Sequence, residues 1–271
     1  MQLLVLVFEN FLIPTVMKRL AVLNVVGLTR GLLRNKLPRI RSFAEAQEIA
    51  SFAPAFPAVT TTAQATYLTG RAPERHGIVG NGWYERDDAE VRFWKQSNRL
   101  VHGEKLWDAV GRERPGFRCA KMFWWYNMYS SAEWSVTPRP MYPADGRKVF
   151  DVYAHPPGLR DDLVKDLGEF PFPAFWGPRA GLPSSQWIAD SARWIEEREG
   201  PDLNLVYVPH LDYGLQRWGP GAPEMEAEYQ AVDRLVDELI SFFGRRGVEV
   251  VLLSEYGISK VCQPVHLNRI F

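Results

Sequence analysis

The sequence predicts an α/β fold, a three-layer sandwich with a mostly parallel central sheet and helices on both faces. Three observations carry this reading. Short apolar runs at residues 20–26, 203–208 and 248–253 have the length and the Val, Leu and Tyr content of strands buried on both faces. Amphipathic helical segments lie beside the second and third runs, and strand–helix–strand alternation implies parallel pairing. Finally, 271 residues, 46% of them hydrophobic, suffice for one large domain with a full core.

The elements follow in order. The opening sixteen residues are apolar, but Glu9 interrupts them, and neither a basic leader nor a small-residue cleavage site accompanies them. They are too short and too broken to span a bilayer, so residues 1–16 are expected to be a lead outside the domain. Met17, Lys18 and Arg19 directly precede the first strand, and the domain is expected to occupy residues 17–271. That strand, at 20–26, ends at Gly27. A Pro-punctuated extended segment then turns into a helix near Thr60, Thr61 and Thr62. Residues 63–69 are helix formers, Gly70 is a stop, and Thr61 with Gln64 has capping-box spacing. Residues 83–187 follow no simple strand–helix rhythm and are rich in Trp, Phe and Tyr, so they are expected to form an inserted cap. A helix from Ser184 or Ser185 to Glu199 turns Trp187, Ile188, Ala192 and Ile195 inward, and Gly200 stops it. After the 203–208 strand, a helix at about 223–243 carries Tyr229, Val232, Leu235, Val236, Leu239 and Phe243 in one stripe. The chain ends at Phe271, soon after the last strand and turn, and is expected to be incomplete there.

Composition narrows the function classes. Thirty-two basic residues balance thirty-two acidic ones with no long run of either sign, so no electrostatic footprint for a nucleic-acid polymer exists. Cys119 and Cys262 do not make a disulfide scaffold and are expected to be buried apolar side chains. Without a secretory signal, a cytoplasmic location is expected.

The chemistry concentrates at two kinds of position. A helix start offers unpaired N–H groups and a positive dipole end, so a phosphate would sit well beside Thr60, Thr61 and Thr62. The plain alternative is that these threonines only cap the helix. In parallel sheets ligands gather at the carboxyl ends of strands. There the sequence places Asn24 after the first run, Asp212 after the second and Glu255 after the third. Asp212 and Glu255 are a possible cation pair, with a helix cap or a loop hydrogen bond as the structural alternative for each.

The wording around the threonines is more specific. Pro57-Ala58-Val59-Thr60, Tyr67-Leu68-Thr69-Gly70, His76-Gly77-Ile78 and Asn81 stand in an order and spacing that resembles one branch of the alkaline phosphatase superfamily, the type I phosphodiesterases and nucleotide pyrophosphatases. The resemblance implies that Thr60 is the nucleophile, that Asn81 donates to a phosphate oxygen, and that His76 is structural. It implies a hydrolase acting on a small-molecule phosphodiester or nucleotide, with a divalent metal, zinc in this family, as cofactor. The likeness continues with substitutions. Asp212 matches a ligand, but Gln216 and Tyr256 stand where the family has His, and Glu255 stands for Asp. Val26 stands where members carry Asp before Gly, so Asn24 serves only if that turn is rearranged. The last family histidine would lie beyond Phe271. The implied metal set is therefore Asp212, Glu255, Gln216, Tyr256 and Asn24, which suits Mg²⁺, Mn²⁺ or Ca²⁺ better than paired zinc. His210 is either a replacement ligand or a hydrogen-bonded loop residue. The aromatic clusters of the middle region, with Arg139, Arg147 and Lys148 among them, would shape a substrate pocket or pack a small subdomain. Two other functions fit the same residues: a degenerate nucleotide- or phosphate-binding protein, and an aromatic-rich carbohydrate-binding module.

Overall fold

A computed structural model describes residues 2–6 and 18–270. Strands β1 (Gln2–Leu6) and β2 (Leu20–Val25), helices α1 (Arg30–Lys36) and α2 (Pro38–Glu45), and strand β3 (Glu48–Phe52) come first. Helices α3 (Thr60–Thr69) and α4 (Pro73–His76) and the hairpin β4 (Gly82–Glu85) and β5 (Glu90–Phe93) follow. The middle holds α5 (Leu106–Glu113), β6 (Cys119–Met122), β7 (Trp134–Met141), β8 (Val149–His155) and α6 (Leu159–Leu167). Helix α7 (Leu182–Arg198), β9 (Leu203–Val208), α8 (His210–Trp218), α9 (Met225–Arg245) and β10 (Glu249–Leu253) complete the order.

Eight strands form one sheet in the order β3-β1-β10-β2-β9-β6-β7-β8. The five from β10 to β7 are parallel, and antiparallel pairs flank them on both sides. Every residue of β9 and of β6 is buried, so helices and loops cover both faces at the centre. The expected three-layer α/β architecture is therefore present. Helix α9 buries Tyr229, Val232, Leu235, Val236, Leu239 and Phe243, the stripe read from the sequence. Asp233 breaks that stripe and is also buried. Its carboxylate accepts from the backbone N–H groups of Arg39 and Ile40, at 3.1 and 3.0 Å, in the first turn of α2. One helix thus caps another that has no side-chain cap of its own.

Several expectations need correction. Gln2–Leu6, within the lead expected to lie outside the domain, pairs with β10 and β3 and extends the sheet. The expectation that the domain opens at Met17 falls outside the described residues. The stretch 83–187 is not one inserted cap, because β6, β7 and β8 within it are strands of the central sheet. Local pattern does not mark them as strands, because β6 is only four residues long and hides a lysine, and β7 contains two prolines. Cys119 is buried as expected, whereas Cys262 is exposed. The Thr61–Gln64 capping box does not form: Val59 is the N-cap, without a side-chain bond, and Thr60 is already helical. The segment after β9, where a loop residue is one expectation for His210, is the helix α8. It sets Asp212 and Gln216 one turn apart on the same face.

Candidate active site

The cavity at the carboxyl ends of β2, β9 and β10 has a volume of about 400 Å³. Thr60, Asn81, Asp212, Gln216 and Tyr256 line it, with Trp94, Trp125 and Trp176 among the walls. Of the seven site residues named from the sequence, these five meet on one cavity. Asn24 and Glu255 lie beneath, both fully buried.

Thr60 begins α3, after an extended Val59 at φ −135°. Its neighbour Thr61 fixes the approach. Thr61 N donates to Asn81 Oδ1 at 3.1 Å, and Thr61 Oγ1 lies 3.0 Å from the same oxygen and 2.7 Å from the Gly80 carbonyl. The Asn81 oxygen is thereby committed to the helix end, so its Nδ2 is the group it has to offer a ligand. His76 contacts Thr66 Oγ1 at 3.0 Å through Nε2 and accepts from Ile78 N at 3.1 Å through Nδ1, which fits a structural role in this turn.

One turn into α3, Gln64 carries a function the sequence did not reveal. Its Nε2 donates to Glu255 Oε1 at 2.6 Å and its Oε1 accepts from Trp125 N at 2.7 Å. Asn24 Nδ2 donates to the same Glu255 oxygen at 2.6 Å. Burial pushes the Glu255 carboxyl up to about 7; bonds from Gln64, Asn24 and Thr60 pull the other way, and nearby Asp212 adds to the rise. The Thr60 side chain is thus a hydrogen-bond neighbour of both Glu255 and Tyr256.

Asp212 has its own pair of donors. The Tyr256 phenol donates to Oδ1 at 2.9 Å and Gln216 Nε2 donates to Oδ2 at 2.6 Å. Burial raises the Asp212 carboxyl above its ordinary range, and these two bonds oppose the rise. Burial, then the charges of Asp212 and Glu255, drives the Tyr256 phenol far above its ordinary value, so it stays a neutral donor. His210 turns away from this group. It starts α8 with Nε2 2.8 Å from Glu228, and burial lowers its imidazole to about 4, so the ring is neutral at pH 7.

These donors are a poor fit to the zinc pair that the resemblance implies. Among the described residues no group of three His, Cys, Asp or Glu side chains is placed to hold a metal ion. Val26 is fully buried in the apolar core beside Gly27, where an added Cβ would stand 2.9 Å from Leu215 Cδ1. A lone hard cation wants about six oxygens. Here both Asp212 oxygens and one Glu255 oxygen already accept from neutral donors.

The aromatic residues divide between packing and lining. Trp124 and Trp125 are almost wholly buried, as are Trp107 and Trp187. Trp94 and Trp176 form one wall with Trp125, at ring separations of 4.7 and 6.0 Å from it. A second cavity of about 420 Å³ shares Trp94 and Trp176 and includes Arg139 and Tyr142. Arg147, by contrast, pairs with Asp145 at an exposed turn.

The type I phosphodiesterase/nucleotide pyrophosphatase family model matches residues 20–271. An uncharacterised pyrophosphatase/phosphodiesterase of Schizosaccharomyces pombe is 27% identical over 250 residues, 88% of this chain and 43% of that protein. Ectonucleotide pyrophosphatase/phosphodiesterase 1 of Saccharomyces cerevisiae is 23% identical over 235 residues, 78% of this chain and 29% of that protein. The chain thus spans less than half the length of the curated relatives it matches. Among solved structures, murine ectonucleotide pyrophosphatase/phosphodiesterase 5, an inactive variant in complex with AMP, superimposes with a TM-score of 0.61. That likeness covers 94% of this chain and 61% of the other at 16% identity, and it supports the fold. With the motif of α3 and a family match over nearly its whole length, the chain belongs to the type I phosphodiesterase/nucleotide pyrophosphatase family.

Proposed function

We propose that this chain carries the phosphoryl-transfer pocket of a hydrolase for small phosphodiester or pyrophosphate substrates, with Thr60 as the nucleophile. The observation that carries the reading is the position of Thr60, at the start of α3, on the wall of a cavity that Asn81 and Asp212 also line. Thr60 Oγ1 would attack phosphorus in line and pass its proton to the neighbouring Glu255 carboxylate. The P–O bond to the leaving alcohol or phosphate would break with that proton returned to it, and water would then hydrolyse the phosphorylated threonine. Asn81 Nδ2 and the positive end of α3 would meet the charge on the phosphate oxygens. The aromatic wall of Trp94 and Trp176 offers ring faces to a base or sugar. The AMP bound by the murine neighbour makes a nucleoside monophosphate the first ligand to try. The divalent cation that the resemblance implies does not suit the donor set, so no step of this scheme runs through one.

Turnover of bis(p-nitrophenyl) phosphate by the purified chain, compared with Thr60→Ala, tests the proposal. Loss of more than about a thousandfold in kcat is expected for the variant if Thr60 forms the covalent bond. Equal rates for the two proteins would remove Thr60 from the chemistry. A second reading is favoured by the donors that already occupy Asp212 and Glu255: a nucleotide-binding protein of the same fold without turnover. Calorimetric AMP binding with no hydrolysis of any diester would select it.

A further inference from the structure

This inference builds on the phosphate-ester reading and concerns what neutralises the acids of that pocket. The resemblance implies a divalent metal held by these acids and their neighbours. Here three of the implied ligand positions carry hydrogen-bond donors or hydrocarbon instead, at Gln216, Tyr256 and Val26. Gln216 and Tyr256 each place a donor on Asp212, one per oxygen. Asn24 and Gln64 both donate to Glu255 Oε1. Val26 is sealed in the core. We propose that the Thr60 cavity takes its phosphate-bearing ligand without a divalent cation, its acids being held by the amides of Asn24, Gln64 and Gln216 and by the phenol of Tyr256.

Cation and hydrogen-bond donor compete for the same lone pairs. A cation and an N–H or O–H donor seek the same carboxylate oxygens, and a cation brings nothing for the displaced donor to bond. Metal at Asp212 would have to share each oxygen with a donor already there, since the Tyr256 phenol and the Gln216 amide leave one lone pair on each. Gln216 is one helical turn from Asp212, so its amide is held close to the carboxylate by α8 itself. Among the described residues Asn24 Oδ1 accepts no hydrogen bond, and it is an oxygen a cation would want. Its residue, however, is fully buried with Glu255 under the cavity, and its amide is already spent on that acid. The anion would instead meet the N–H end of α3, the Thr60 hydroxyl and Asn81 Nδ2.

The test uses the full chain, purified without a metal-binding tag. It is equilibrated with zinc, magnesium or manganese, desalted and assayed for metal by mass spectrometry. AMP is then titrated calorimetrically in EDTA and in zinc. The expected result is no stoichiometric metal and the same Kd for AMP in both buffers. One or more equivalents of retained metal, or AMP binding lost in EDTA and restored by zinc, would overturn the proposal. Failure to bind AMP in either buffer would sink the phosphate-ester reading instead, and the metal content alone would then decide this one. The paired substitution Gln216→His with Tyr256→His is expected to raise zinc uptake over the parent. Uptake equal to the parent's would show that these two donors are not what excludes metal.

Discussion

Gln64 and Lys121 show how much a buried polar side chain can carry. Gln64 ties α3 to the end of β10 through Glu255 and to the backbone of Trp125. Gln64→Ala would leave the Trp125 N–H without its acceptor and remove a donor from Glu255 Oε1. A loss of about 2–4 kcal/mol is expected in urea denaturation. Lys121 is fully buried, with its ammonium 4.4 Å from the Trp107 ring and 3.4 Å from the Tyr126 carbonyl. Burial lowers its amine to about 7 from an ordinary 10.5. A base with a depressed folded value binds fewer protons in the native state than in the unfolded one. Stability therefore rises as pH increases from 7 toward 10.5. Unfolded Cys119 begins to ionise near 9 and opposes the trend, because burial holds its native thiol protonated. Between pH 7 and 9 the parent is expected to gain about 2 kcal/mol relative to Lys121→Met, measured as the pH slope of the difference between the two proteins. A difference independent of pH would show that the amine is charged in the native state.

Among the elements, α2 depends on a residue of α9. Its N-cap Leu37 gives no side-chain bond, and Asp233 supplies both acceptors from the neighbouring helix. Asp233→Ala is expected to cost about 1–2 kcal/mol in a chemical unfolding titration, close to the loss of a local cap. The conservative Asp233→Asn, which keeps one acceptor, should recover part of it. Local pattern signalled the helices well because their apolar periodicity is strong: the α9 stripe and the inner face of α7 appear as read. Signals at the element ends were weaker. The hydroxyls of α3 looked like caps because Thr61 and Gln64 have the right spacing. Only the tertiary partners Asn81, Glu255 and Trp125 show where those side chains go.

For the whole molecule, the parallel block β10–β2–β9–β6 lies at the middle of an eight-stranded sheet. Amide hydrogen exchange is expected to be slowest in β2 and β9, which pair on both sides and are mostly buried. The two-stranded β4–β5 hairpin, with Tyr84, Val91 and Phe93 exposed, should exchange orders of magnitude faster. Comparable protection in the two would mean that the hairpin packs on something besides this chain. The site sits where the fold puts it, at the carboxyl ends of three parallel strands. Asp212 and Glu255 follow strands that neighbour β2 on either side, although they stand 43 positions apart in the chain.

The chain alone determined the architecture of its core, since long apolar runs and amphipathic stripes need no partner to be read. It also determined the family, because the α3 motif is local in sequence. What the amino-acid order left open was decided by long-range contact. Strands β6, β7 and β8 join the sheet through pairings with β9 and one another, for which no local periodicity speaks. The roles of Asn24, Gln64, Gln216 and Tyr256 were decided the same way. An amide or phenol reads identically as ligand, cap or donor until the acid it meets is known, and those acids lie 4 to 231 positions away.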